Sequence, residues 1–125
     1  MPKERRLTKS SDFAALRAEN RSWSDRLLVL RVKRNGLGIS RAGFSVGKRI
    51  GNAVTRNRAK RRMREAVRLT PVQDGWDFVF IARNGIVEAD FHEIGVSVTS
   101  LLRRAGLLIA PQSSAASAPG EKGVS

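Results

Sequence analysis

Cations stand at positions 56, 58, 60, 61, 62, 64 and 68 of the stretch GNAVTRNRAKRRMREAVRL (51–69), with Asn57 between two arginines. Side chains of this type do not exchange protons at neutral pH. They neutralise phosphates, and arginine adds forked hydrogen bonds and stacking on bases, both suited to RNA. Stepping residues 57–68 at about 100° each, from Asn57 as zero, puts Ala59, Met63, Ala66 and Val67 between about 180° and 280°. Arg58, Lys60, Arg61, Arg62, Arg64 and Arg68 fill the remaining arc with Asn57 and Glu65. The stretch is therefore an amphipathic helix with a cationic outer face, and Asn52 is placed to cap it. Arg56, at about 260°, falls on the apolar side, where a guanidinium needs a carboxylate or a bound phosphate as partner.

A charge run on a helix is ordinarily a solvated face. Here only Glu65 offers compensation at i, i+3 or i+4, so the cations repel one another by a few tenths of a kcal/mol per pair, about as exposed like-charge pairs do. Anions from outside the helix are expected to supply the balance.

Two other groupings carry less. GFSVGKR (43–49) has three residues between its glycines where a phosphate loop has four, and Arg49 stands where a magnesium-binding Ser or Thr belongs. VEADFHE (87–93) gathers Glu88, Asp90, His92 and Glu93 in a pattern open to a metal-nuclease reading. Acidic residues at a helix start answer the helix dipole, however, and Asp90 reads as a cap. Two-metal chemistry needs more convergent carboxylates than this chain offers. His92 has no Ser or Cys motif to serve and is expected at the surface. No catalytic constellation and no protein-held metal site stands out.

The whole chain repeats the bias of its helix. Among 125 residues, 24 Lys+Arg against 11 Asp+Glu give a net charge of +13. On one small domain this is self-repulsive unless a polyanion is the habitual partner, with nucleic acid ahead of a membrane surface. Apolar residues make up 41%, enough for a core. Cysteine is absent, which excludes disulfides, thiolate metal ligands and a thiol nucleophile and fits a reducing compartment. MPKERRLTKSSDF is basic but leads into no apolar segment of a secretory signal, and no window approaches the roughly 18 apolar residues of a membrane span. A soluble, cytoplasmic protein is expected.

The elements that position the basic helix follow from pattern. TKSSDFAALRAE (8–19) reads as a short helix capped by Ser10 or Ser11, with Phe13 and Leu16 on one side. LLVLRVK (27–33) reads as a strand entering a turn at Asn35-Gly36. AGFSVG (42–47) alternates Ala42, Phe44 and Val46 with Gly43, Ser45 and Gly47, a strand whose small face admits a close neighbour. WDFVFIAR (76–83) is a strand buried on both faces, with Trp76, Phe78 and Phe80 opposite Val79 and Ile81. Residues 88–105 form a last helix with an apolar stripe of Phe91, Ile94, Val98 and Leu101. The segment 109–125 is small and polar and is expected to be a disordered tail after one domain at 1–108.

The stretch from Ala42 to Arg68 resembles the protein subunit of bacterial ribonuclease P. IGNAVTRNRAKRRMR (50–64) carries the likeness: an apolar residue, Ala53, the run Arg56-Asn57-Arg58, then Arg61 and Arg64. FSVGKRIGNAV before it and DFVFIAR after it resemble the family's flanking strands. The likeness spans residues 5–108, with Ala59 smaller than the branched residue often found there.

The resemblance implies an α+β fold: a two-layer α/β sandwich, a small mixed sheet packed by helices, with a left-handed strand–helix–strand crossover. That is the class of the second domain of the fifth small-subunit ribosomal protein. It implies a subunit of an endoribonuclease that removes the 5′ leader from precursor tRNA, with hydrolysis by magnesium held mainly on the RNA subunit and no catalytic residue in the protein. The implied partners are that catalytic RNA and precursor tRNA, not membrane or DNA. The RNA-binding set is Lys48, Arg49, Arg56, Asn57, Arg58, Lys60, Arg61, Arg62, Arg64 and Arg68. A groove for the leader, between sheet and first helix, is implied at Phe13, Arg17, Arg31, Phe44 and Ser45. Arg17 and Arg31 replace aromatic rings of some relatives, so phosphate contacts are expected there in place of stacking. A ribosomal RNA-binding protein and a nuclease cutting with its own carboxylates are the alternatives.

Overall fold

The computed structural model describes residues 5–19 and 21–109. Residues 110–125, which hold nearly all of the expected tail, lie outside the described residues. Helix α1 spans Ser10–Arg17, strand β1 Ser22–Ser24, β2 Leu28–Arg34, β3 Arg41–Ser45, helix α2 Ala53–Arg68, β4 Trp76–Ala82 and α3 Phe91–Arg104. The strands form one mixed sheet in the order β1-β2-β4-β3. The β1–β2 and β2–β4 pairs are antiparallel, while β3 and β4 run parallel with α2 as the crossover between them.

Alternation along the strands builds two unequal layers. Leu28, Leu30 and Val32 of β2, Ala42 and Phe44 of β3, and Phe78 and Phe80 of β4 face α2 and α3 and form the main core with Met63, Ile94, Val98 and Leu101. The opposite face carries Val79, covered by Leu7 and Leu16, with Phe13 and Ile81 packed at the edge. The fold is thus the expected sandwich with short α1 over part of its outer face. Among the described residues no helix is long and apolar enough to cross a membrane.

Several expectations shift. Helix α1 is shorter than 8–19, and its cap position is Lys9, without a side-chain hydrogen bond, rather than Ser10 or Ser11. Those serines are the first two helical residues, one step too late for the extended backbone a cap requires. Strand β1 went unread because three residues, Ser-Trp-Ser, are too short to show a period. Strand β3 ends at Ser45, and Lys48–Ile50 makes one 3-10 turn before α2. Helix α3 begins at Phe91, not 88, because Asn84–Glu88 forms its own 3-10 segment. Phe91 is consequently a first-turn residue, 40% exposed, and no part of the buried stripe. At the other end Ile109 still belongs to the fold, its N–H donating to Pro71 O at 3.1 Å.

Gly43 shows what the small face of β3 is for. A Cβ there would stand 2.8 Å from the Phe13 ring, so only glycine lets α1 lie this close to the sheet.

Candidate nucleic-acid interface

Asn52 starts α2, its side chain accepting from Thr55 N at 2.9 Å. The buried stripe that follows is Ala59, Met63, Ala66 and Val67, the four residues the phases select. Sixteen residues at 1.5 Å each make a rod of about 24 Å, fixed to the core along one side. Along it Asn57, Arg58, Arg61 and Arg68 are exposed, and Arg56, Lys60, Arg62 and Arg64 are half-buried. Lys48 and Arg49 stand exposed on the turn that precedes it.

Few of these cations have protein partners. Arg68 pairs with Glu65 through both nitrogens of its fork, Nε to Oε1 at 3.0 Å and Nη2 to Oε2 at 2.5 Å. That hydrogen bonding, with the opposite charge, holds the Glu65 carboxyl below its ordinary pKa and the Arg68 guanidinium above its own. Arg62 Nη1 donates to Ala89 O at 3.2 Å and docks α2 against the entry to α3. The Arg64 guanidinium lies 5.9 Å over the Phe44 ring. The Nε atoms of Arg56 and Arg64 are buried without a hydrogen-bond partner among the described residues. Arg56 was the residue out of phase, and no carboxylate among the described residues pairs with it.

The sheet face under α1 holds a second basic surface. Arg31, Val79 and Gly43 form one row across β2, β4 and β3, and α1 lies over it. The next row, Val29, Ile81 and Ser45, is only half-covered. It lines a groove of roughly 490 Å³ whose walls include Arg26, Arg49 and Arg83. Arg17 is exposed at the end of α1. Arg31 is half-buried and donates to Glu19 O at 2.7 Å, so part of its fork is spent on holding the end of α1.

Of the five expected groove residues, Phe13, Arg31 and Ser45 share this face. Phe44 does not: it alternates to the other side, where it is 9% exposed beneath α2. Phe44 is a seat for Arg64 rather than a groove wall. Arg26 was missed because it sits singly in a bend between β1 and β2, with no periodicity to mark its direction. Arg83 carried a signal, since it continues the Val79–Ile81 alternation of the strand expected over 76–83, although the strand itself ends at Ala82.

Asp90 and Glu93 are occupied as an N-terminal capping box, Asp90 accepting from Glu93 N at 2.8 Å and Glu93 from Asp90 N at 3.0 Å. His92 is exposed. Among the described residues no three His, Asp or Glu side chains converge as a metal site.

The family model for ribonuclease P matches residues 1–106. A curated relative, the ribonuclease P protein component of Clostridium botulinum (strain Loch Maree, type A3), is 41% identical over 108 residues, 84% of this chain and 97% of its own. A Staphylococcus aureus RNase P protein, solved as a mutant with defective mRNA degradation activity, superposes with a TM-score of 0.77 at 30% identity, covering 85% of this chain and 92% of its own. The RNase P protein from Thermotoga maritima gives 0.70 at 32% identity, over 79% and 96%.

Proposed function

The chain belongs to the ribonuclease P protein family, as a subunit that associates with an RNA, and from that premise we propose how its two basic surfaces divide the work. The α2 face, with Lys48, binds the RNA subunit, and the groove over Val29, Ile81 and Ser45, with Arg49 in its wall where the two surfaces meet, grips the 5′ leader of precursor tRNA. The observation that carries this is the imbalance on α2, where one carboxylate answers the whole row of cations. RNA phosphates are the anions that complete it.

In this reading the protein contributes positioning and charge, and the RNA subunit performs hydrolysis. The carboxylates near the start of α3 do not fit a magnesium site, because Asp90 and Glu93 are committed to the helix cap. Magnesium is therefore assigned to the RNA subunit. The cations of α2 lower the repulsion between RNA subunit and substrate, which raises the RNA's magnesium affinity indirectly. The groove adds contacts that mature tRNA, lacking a leader, does not make. Arg26, Arg49 and Arg83 supply phosphate contacts, and the apolar row beneath them accepts the faces of unpaired bases.

The reading as a ribosomal RNA-binding protein is not favoured, since the matched relatives and solved neighbours are ribonuclease P proteins. Reconstitution tests the proposal. Adding the chain to the catalytic RNA is expected to raise cleavage at low magnesium, and the holoenzyme to bind precursor tRNA more tightly than mature tRNA. Equal affinities for the two would remove the leader grip. Cleavage by the protein free of RNA, lost on Asp90→Asn, would move catalysis to the protein.

A further inference from the structure

A separate pocket of roughly 320 Å³ opens at the far end of α2, on the opposite face of the sheet from the leader groove. Its base is Ala42, Val67 and Phe78, all buried, with Val72 at one side. Arg5 and Arg68, both exposed, stand at its rim. The remaining lining is two hydroxyls, Ser40 and Thr70.

These walls are held by the backbone. Leu7 N donates to Ala42 O at 2.8 Å, which lays the segment bearing Arg5 along the edge of β3. Val72 bridges to Leu108, and Gln73 N donates to Leu107 O at 2.8 Å, which fixes the opposite wall. Ser40 ties the two sides together, donating to Gln73 O and accepting from Trp76 N at 3.0 Å. The pocket is thus preformed, and a ligand entering it orders little of the protein.

Its chemistry is specific in outline. An apolar base accepts a flat, weakly polar ring; Arg5 at the mouth, and the Arg68 Nη1 donors that Glu65 leaves free, favour negative charge just outside it. The Thr70 hydroxyl donates to Ala66 O at 2.8 Å and keeps acceptor capacity for an exocyclic amine. An apolar ring joined to an anion describes a nucleotide, and α2 already presents its cationic face to RNA beside this mouth. Resting on the RNA-binding reading above, we infer that the pocket between the end of α2 and the start of β3 receives one unpaired base of the RNA subunit, with Arg5 and Arg68 on the flanking phosphates. The contact pins the RNA in register on α2, a task that phosphate contacts alone do poorly because they are the same at every nucleotide.

The absence of cysteine makes a direct test available. Thr70→Cys places a single thiol at the pocket mouth for a photo-crosslinker, and the full chain is then bound to the catalytic RNA. Cross-linking is expected at one or two adjacent nucleotides, whose base edges lose reactivity to dimethyl sulfate when wild-type protein binds. Filling the pocket with Val72→Phe or Thr70→Phe is expected to restore that reactivity and weaken binding roughly tenfold, as loss of one buried or stacked base does. Melting curves identify whichever filled variant folds. Scattered cross-links, with affinity within twofold of wild type for a folded filled variant, would overturn the pocket assignment. Failure of wild-type protein to bind the RNA at all would instead overturn the reading on which it rests.

Discussion

Helices α2 and α3 lie side by side on one face of the sheet, 16 and 14 residues long, and treat charge in opposite ways. Helix α3 follows its dipole, with a capping box at the start and Arg103 and Arg104 in the last turn. Its inner face buries Ile94, Val98, Leu101 and Leu102 completely. Helix α2 has no acidic residue in its first turn and carries cations from Arg56 onward, against its dipole and against one another. Two of its Nε atoms are buried without a hydrogen-bond partner among the described residues. One helix is finished within the protein, and the other, in the reading proposed above, is finished by RNA. Stability thus accumulates in α3 and binding in α2, and substitutions should separate the two.

The largest effect is expected in α3. Leu101→Ala removes a wholly buried side chain and leaves a cavity, at a cost of about 3 kcal/mol in unfolding free energy, measured by urea denaturation. RNA affinity of the fraction that remains folded should not change. A loss of affinity without a loss of stability would break the comparison.

Next is the half-buried ion pair on the α1 side of the sheet, which shows how this fold treats a charge it keeps for itself. Arg41 grips Asp77 with Nε at 2.9 Å and Nη2 at 2.7 Å, and Asn35 Nδ2 adds a third bond at 2.8 Å. Burial alone would raise the Asp77 carboxyl, but the bonds from Arg41 and Asn35 and the charges of Arg41 and Lys33 outweigh it and hold it below its ordinary value. A carboxylate depressed on folding gives stability that is complete above the unfolded value, near pH 4, and lost as pH falls through the folded one. Asp77→Asn should therefore cost about 2 kcal/mol at pH 7 and flatten the acid limb of a stability–pH curve. An unchanged acid limb would show that Asp77 is not what the acid limb titrates.

Arg61→Gln sharpens the contrast from the α2 side. Arg61 is exposed and has no hydrogen bond or ion pair among the described residues, so unfolding should not change. Binding to the RNA subunit should weaken by about 1 kcal/mol, roughly fivefold, and the log–log salt slope should fall by about 1. A stability loss with an unchanged salt slope would make Arg61 a structural residue.

Sequence alone exposed the parts of this molecule governed by period. The phases of 57–68 gave the buried stripe of α2, the cap Asn52 and the anomaly of Arg56, because helical geometry turns spacing directly into direction. Alternation likewise gave both faces of β4. What escaped depends on contacts between distant segments. The strand Ser22–Ser24 exists because Leu28–Arg34 pairs with it, and nothing within three residues announces that. The Arg41–Asp77 pair joins residues 36 apart. Phe44 was placed in the leader groove by family resemblance, although its own alternation with Gly43 and Ser45 already set it on the other face. There the local rule was the better guide.

The smallest expected effect decides how incomplete α2 is by itself. Glu65 is the helix's only acid, and its pairing with Arg68 holds its carboxyl below the usual range, so the pair favours folding above that range and fades as pH falls through the depressed value. Both partners are largely in water, where such pairs contribute little. Glu65→Gln should leave the melting temperature nearly unchanged at pH 7. It frees the Arg68 fork for phosphate, so affinity for the RNA subunit should rise by roughly twofold or less, with a slightly steeper salt slope. Weaker RNA binding would mean that Glu65 orients Arg68 for its phosphate rather than competing with it, and α2 would then contain one contact prepared in advance among cations otherwise left open.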